Sequence, residues 1–245
     1  MVALVYGGRS PIALELCRQL SESGHEVHLI TRNRDETIVK LANDHDCKHV
    51  HECNLENPES SIALALEIDR TAGGLDAVAF VHRYRSEASN PIKQYEVEVY
   101  TPFKIIESMA SQSRDKQCAV VLTTSPAGRT VVGDQDFQYH ASKAALSQLV
   151  RFGSVRFAAK NLRINGVSPG SFIFKERAAE YYATNPEVVV KANNLIPLSR
   201  MGTVTEIANV ALFLLSEKSS YLNGQILEVD GGLSNLDQAS LSRPS

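Results

Sequence analysis

Short apolar runs alternate with helix-favouring stretches along almost the whole chain, and this alternation constrains the fold more than any other feature. The patterning predicts strands near residues 2–6, 26–31, 48–53, 75–81, 118–123, 163–168 and 225–229. It predicts helices near 11–23, 35–43, 59–71, 91–112, 137–160, 175–193 and 204–215. Such alternation, without internal repeats or linkers, implies a parallel sheet joined by right-handed crossovers. The expected fold class is α/β, a doubly wound parallel sheet flanked by helices, in which ligands bind at the carboxyl ends of the strands. One domain is expected over residues 1–233, with residues 234–245 as a C-terminal tail.

Composition narrows the function. A chain of 245 residues, 43% hydrophobic and 22% charged, can bury the core of one globular domain. Its net charge of −3, without a basic run, argues against nucleic acid or an anionic membrane as partner. No apolar stretch approaches the roughly 18 residues of a membrane span, and the start Met-Val-Ala-Leu-Val-Tyr lacks the basic region of a signal peptide. A cytoplasmic location is expected. Four cysteines, at 17, 47, 53 and 118, do not suggest a disulfide framework in a chain this large. His45, Cys47, His49, His51 and Cys53 alternate along one face of the expected third strand, in the chemistry zinc uses. They lack paired ligands from a second element, so no metal site is expected.

Tyr139 and Lys143 stand four residues apart at the head of a helix-favouring stretch, which places both on one helical face. A phenol loses its proton only near pH 10 in water, so acid–base chemistry by a tyrosine near neutrality requires a fixed positive charge beside it. Lys143 is placed to supply that charge. Upstream, Val120-Val121-Leu122-Thr123-Thr124-Ser125 reads as a buried strand running into a hydroxyl cluster, followed by the turn Pro126-Ala127-Gly128. Further on, the strand beginning Arg163-Ile164-Asn165 closes in Pro169-Gly170. With Gly224-Gln-Ile-Leu-Glu-Val-Asp-Gly-Gly232 near the end, these segments make the chain resemble the short-chain dehydrogenase/reductase family over nearly all of residues 1–233.

That resemblance implies a single Rossmann-like domain and an NADP(H)-dependent oxidoreductase interconverting a ketone and a secondary alcohol. It implies that Ser125 orients the carbonyl oxygen, that Tyr139 is the general acid of reduction, and that Lys143 assists the tyrosine and holds the nicotinamide ribose. Tyr6-Gly7-Gly8-Arg9-Ser10-Pro11-Ile12-Ala13 occupies the family's glycine-rich turn, although only the first of its glycines survives, at Gly7. Gly7, Arg9, Ser10 and Ile12 are its expected cofactor contacts, because a turn into a helix N-terminus still offers backbone donors to a pyrophosphate. Arg32 follows the second strand where an NAD-preferring relative would carry an acid, which favours NADP over NAD. Arg9 and Arg34 stand close enough in sequence to assist, and Arg34 beside Asp35 also suits a solvated loop. Asn54 and Leu55 are expected against the adenine, and Tyr139, Lys143, Pro169 and Gly170 complete the cofactor contacts.

Two departures from the family pattern stand out. Strand four runs on into His82-Arg83-Tyr84-Arg85, larger and more basic than the family's Asn-Asn-Ala-Gly. Val97-Glu98-Val99 matches the family's Val-Asn-Val or Val-Asn-Leu, which implies that Glu98 replaces the catalytic asparagine that holds a water of the proton relay, the alternative being that a shortened loop before it shifts the register and leaves Glu98 solvated. Residues 171–200, with Phe172, Phe174, Tyr181 and Tyr182, are expected to form a substrate lid, although these aromatics equally suit packing. An enoyl reductase is the competing enzyme, but those relatives place their tyrosine seven residues before the lysine, where this chain has Asp136. A nucleotide-sensing protein without turnover is the competing non-enzyme reading, and Ser125, Tyr139 and Lys143 argue against it. The helix from Phe137 and the Tyr221–Leu233 segment imply, by the same resemblance, a homodimer or homotetramer.

Overall fold

The computed structural model describes residues 1–85, 90–133, 135–175 and 178–237; residues 238–245 of the expected tail lie outside these. A seven-stranded parallel sheet runs in the order β3-β2-β1-β4-β5-β6-β9, formed by β1 (Val2–Tyr6), β2 (Glu26–Thr31), β3 (His49–Glu52), β4 (Ala77–Phe80), β5 (Cys118–Thr123), β6 (Leu162–Pro169) and β9 (Ile226–Val229). Strand order reverses between β1 and β4. A crevice opens there at the carboxyl ends, because the crossovers on either side lead away in opposite directions.

Strand alternation divides the core in two. Leu4, Tyr6, Val78 and Phe80 face α3 (Pro58–Thr71), α5 (Thr101–Ser111) and α6 (Phe137–Arg156). Ala3, Val5, Ala77 and Ala79 face α1 (Pro11–Glu22), α2 (Glu36–Asp44) and α9 (Val204–Leu215). Small alanines on this second face let α1 and α9 lie close to the sheet. Helix α6 buries Leu146, Leu149 and Val150 and leaves Phe152 and Val155 exposed. Helix α9 begins with a complete capping box, the Thr203 hydroxyl accepting from the Glu206 N–H at 3.2 Å and the Glu206 carboxylate accepting from the Thr203 N–H at 2.8 Å.

Two expected helices differ from the sequence reading, and one small sheet lies outside it. The helix expected over 91–112 is α4 (Pro91–Tyr95), a π-helical stretch Glu96–Tyr100, and α5. Pro102 explains the interruption: without an N–H it cannot donate to the carbonyl of Glu98 four residues back, and the wider turn accommodates the loss. The helix expected over 175–193 is two helices, α7 (Ala179–Thr184) and α8 (Pro186–Leu195), divided where Asn185 precedes a proline and takes a non-helical conformation; residues 176–177 lie outside the described residues. A small parallel pair, β7 (Ile173–Phe174) with β8 (Gly202–Thr203), ties the two ends of this excursion together.

All four cysteines are buried and free. Of the five alternating residues only His49 and His51 lie in β3; Cys47 and Cys53 flank it and are buried in the core, and His45, the C-cap of α2, binds the Leu41 carbonyl at 2.8 Å. His49 and His51 do not stand alone, contrary to expectation: His28 and Glu26 of β2 lie beside them on the same face.

Candidate active site

The crevice at the β1/β4 switch is a cleft of about 450 Å³, within the range of cofactor sites. Gly7, Arg9, Ser10, Ile12, Arg32, Asn54 and Leu55 all line it, so the structure gathers seven of the expected cofactor contacts in one place. Gly7 has φ +125°, and a Cβ there would come within 3.0 Å of the backbone joining Val81 to His82. Gly8 is tighter still, since a Cβ would lie 2.6 Å from Cβ of Thr31. Both glycine amides donate to the Ile30 carbonyl at 3.1 Å, which lashes the turn to β2. Ser10 makes no cap bond to its own helix, and Pro11 opens α1. The hydroxyl of Ser10 and the first-turn amides from Ile12 onward are therefore the polar groups that α1 presents to the cleft.

Arg32 is exposed at the rim of the cleft. Arg9 reaches across the mouth to pair with Asp35, which also caps α2 by accepting from the Ile38 N–H at 3.0 Å. These hydrogen bonds, that from Ile38 first and those from Arg9 after it, hold the Asp35 carboxyl below the usual aspartate range. Cations thus flank the place where a 2′-phosphate would sit, and no acid lies directly after β2. The cradle of absent Cβ atoms, the open helix N-terminus and the rim arginine fit a phosphorylated dinucleotide.

Beyond the cleft, where β5 ends and α6 begins, stand Ser125, Tyr139 and Lys143. Ser125 follows β5 and opens a 3₁₀ turn, its hydroxyl accepting from the Ala127 N–H at 3.2 Å. Gly128 lets this turn press against α6, because a Cβ there would lie 2.7 Å from the Lys143 carbonyl oxygen. Lys143 is buried, with its ammonium 2.9 Å from the Glu98 carboxylate, 3.3 Å from the Thr123 carbonyl and 5.6 Å from the Tyr139 ring centroid. Glu98, from the π-helical stretch, is 1% exposed and also accepts from the Tyr84 N–H at 3.0 Å. The register of this helix therefore does bring Glu98 to the lysine.

Arg83 was not foreseen as a site group. Its guanidinium lies 4.1 Å from the Tyr139 ring centroid and donates to Gln135 at 2.6 Å, standing between the cleft and the tyrosine. Tyr139, Lys143, Pro169 and Gly170 accordingly lie beyond the lining of the cleft. His82, next to Arg83, is bound to the Val97 carbonyl at 2.9 Å, and burial pushes its imidazole down to about 4. In the 171–200 excursion, Phe174 packs on Tyr182 at 5.1 Å and Tyr182 on Tyr181 at 5.7 Å, while the Tyr182 hydroxyl donates to the Ile173 carbonyl. These aromatics hold the excursion to itself. Gly8, Gly128 and Arg83 stood in segments the sequence singled out, but their contacts with Thr31, Lys143 and Tyr139 did not show there, because each joins segments distant along the chain.

The profile of a family described as enoyl-(acyl carrier protein) reductase matches residues 7–234. The chain is 26% identical to the rhamnolipids biosynthesis 3-oxoacyl-(acyl-carrier-protein) reductase of Pseudomonas aeruginosa, over 94% of this chain and 95% of that protein. Identity to the 7alpha-hydroxysteroid dehydrogenase of Escherichia coli is 33%, over 57% of this chain and 54% of that protein. Among solved structures, the Pseudomonas aeruginosa RhlG/NADP active-site complex aligns with a TM-score of 0.80 at 26% identity, covering 95% of both chains.

Proposed function

The chain belongs to the short-chain dehydrogenase/reductase family, and from that premise we propose that it is an NADP(H)-dependent oxidoreductase interconverting a carbonyl and a secondary alcohol. The observation that carries this reading is the buried ammonium of Lys143, held 5.6 Å from the Tyr139 ring, with Arg83 joining that ring to a cleft that fits a dinucleotide. That places the buried cation of α6 on the Tyr139 side of the helix, the pairing that acid–base chemistry by a tyrosine calls for. The names of the relatives carry an oxoacyl and a hydroxysteroid substrate, and both contain a carbonyl and secondary alcohol pair.

The bound nicotinamide would supply or accept the hydride. The chain's own residues handle the proton. Tyr139 donates its hydroxyl proton to the nascent alkoxide in reduction and takes it back in oxidation, while Ser125 hydrogen-bonds the same oxygen. Lys143 stabilises the phenolate, and Glu98 fixes the ammonium on the side away from bulk water. Gly7, Ser10 and Ile12 would receive the pyrophosphate, and Arg32, with Arg9 nearby, the 2′-phosphate. Asn54 and Leu55 would lie against the adenine.

Enoyl reduction is less well supported, although the matching profile carries that description. The position seven residues before Lys143 is Asp136, an N-cap residue whose carboxylate accepts from Gln138 at 2.7 Å. No phenol stands at that position to serve an enolate. A panel of ketones and enoyl thioesters followed at the NADPH absorbance separates the two reactions. Tyr139→Phe should lower ketone turnover by about 10²–10⁴-fold with NADPH still bound. Near-parental turnover in that variant contradicts the proposal.

A further inference from the structure

At the edge of the sheet, away from the cleft, β2 and β3 bring three histidines and a glutamate onto one face. Alternation sends Glu26 and His28 from one strand and His49 and His51 from the other to the same side, and the parallel register sets His28 beside His49. The Glu26 carboxylate lies 3.2 Å from Nε2 of His28 and 3.4 Å from Nε2 of His49. One donor atom from each of the three residues lies within 4.8 Å of the other two.

These spacings have a direct chemical meaning. Donors bound tetrahedrally to zinc at about 2.0–2.1 Å sit roughly 3.3 Å from one another. Two of the three edges already have that length. The third closes by tilting the His28 and His49 rings, which stack 4.6 Å apart and nearly parallel. Nδ1 of His28 lies 3.0 Å from Nε2 of His51. With the proton on Nδ1 donated to His51, Nε2 of His28 presents its lone pair toward Glu26 and His49. That arrangement, one nitrogen facing the ion and the other hydrogen-bonded behind it, is the one metal-bound imidazoles adopt.

We propose that Glu26, His28 and His49 bind a first-row divalent transition metal ion, zinc fitting the donor set best, with His51 orienting His28. Two imidazoles and one carboxylate suit zinc, copper or nickel and not magnesium or calcium, which take oxygen donors. A water completes the coordination. The ion ties β3, an edge strand of four residues, to β2, and it takes no part in the chemistry at Tyr139. The site stands whether or not the chain reduces carbonyls.

The test uses the whole chain, freed of metal with a chelator and then titrated with zinc chloride in a calorimeter, with cobalt(II) as the visible probe. We expect one equivalent of zinc per chain, a tetrahedral cobalt spectrum, and a higher Tm in the presence of zinc. His49→Asn and Glu26→Gln should each weaken binding at least about tenfold, and His51→Phe by about tenfold or more. The first two replace side chains that are about half exposed, so folding is preserved. No zinc binding by the parent, or equal binding by the parent and both variants, overturns the proposal.

Discussion

In the proposed reading the backbone does the binding at the β1–β2 end, whereas beyond the cleft, between β5 and α6, side chains do the chemistry, and the two ends tolerate change differently. The first has lost most of its glycine motif and keeps its shape, because Gly7 and Gly8 still allow the turn to press on β2 and β4 and α1 still opens toward the cleft. The second keeps Ser125, Tyr139 and Lys143 but changes what surrounds them, with Glu98 against the lysine and Arg83 over the tyrosine. Backbone amides are supplied by any residue, so a phosphate site survives substitution as long as no Cβ intrudes. A proton donor has no such substitute.

The comparison breaks first at Lys143, where the largest effect is expected. Lys143→Met leaves the buried Glu98 carboxylate unpaired and should cost about 3–5 kcal/mol of stability as well as turnover. Adding Glu98→Met should restore much of the stability and none of the activity. Urea denaturation of the single and double variants reads this, and a single variant as stable as the parent would show that the pair is not tightly held.

His82 lies between the two ends and gives the next effect. An unfolded histidine titrates near 6.5, whereas burial holds this one near 4. The unfolded chain therefore takes up its proton first as pH falls. Stability should be complete above about pH 6.5, decline by on the order of 3 kcal/mol down to about pH 4, and flatten below. His82→Gln should remove most of that decline in a pH series of denaturation curves, and an unchanged slope would place the acid sensitivity elsewhere.

Arg32 sharpens the comparison from the other side. Because it stands alone directly after β2 with no acid beside it, Arg32→Ala should weaken NADPH by on the order of tenfold to a hundredfold and NADH little, in a fluorescence titration. Equal weakening of both would mean that the backbone end reads no phosphate at this rim.

The order of the elements was legible because hydrophobic periodicity is a local property, and all seven strands of the main sheet lie within two residues of where the patterning put them. The breaks within helices were less so. Pro102 and Asn185-Pro186 both carry the cause in plain view, yet a proline near a helix start reads equally as a continuation. The approach of Lys143 to Tyr139 was legible from their four-residue spacing. Arg83 over Tyr139, Gly8 against Thr31, and the meeting of His28 with His49 were not, since each joins segments that only the folded sheet brings together.

The central claim is that the catalytic end keeps its groups while Glu98 alters their field, and the pH profile of alcohol oxidation tests it most directly. In the proposed mechanism oxidation would use Tyr139 as base with Lys143 beside it, and a carboxylate 2.9 Å from that ammonium would cancel part of its field. Glu98→Asn removes the negative charge and retains a hydrogen-bonding side chain. The optimum for oxidation should then move toward neutrality, with activity retained. A variant profile that overlays the parental one would contradict the claim and place Glu98 outside the proton chemistry.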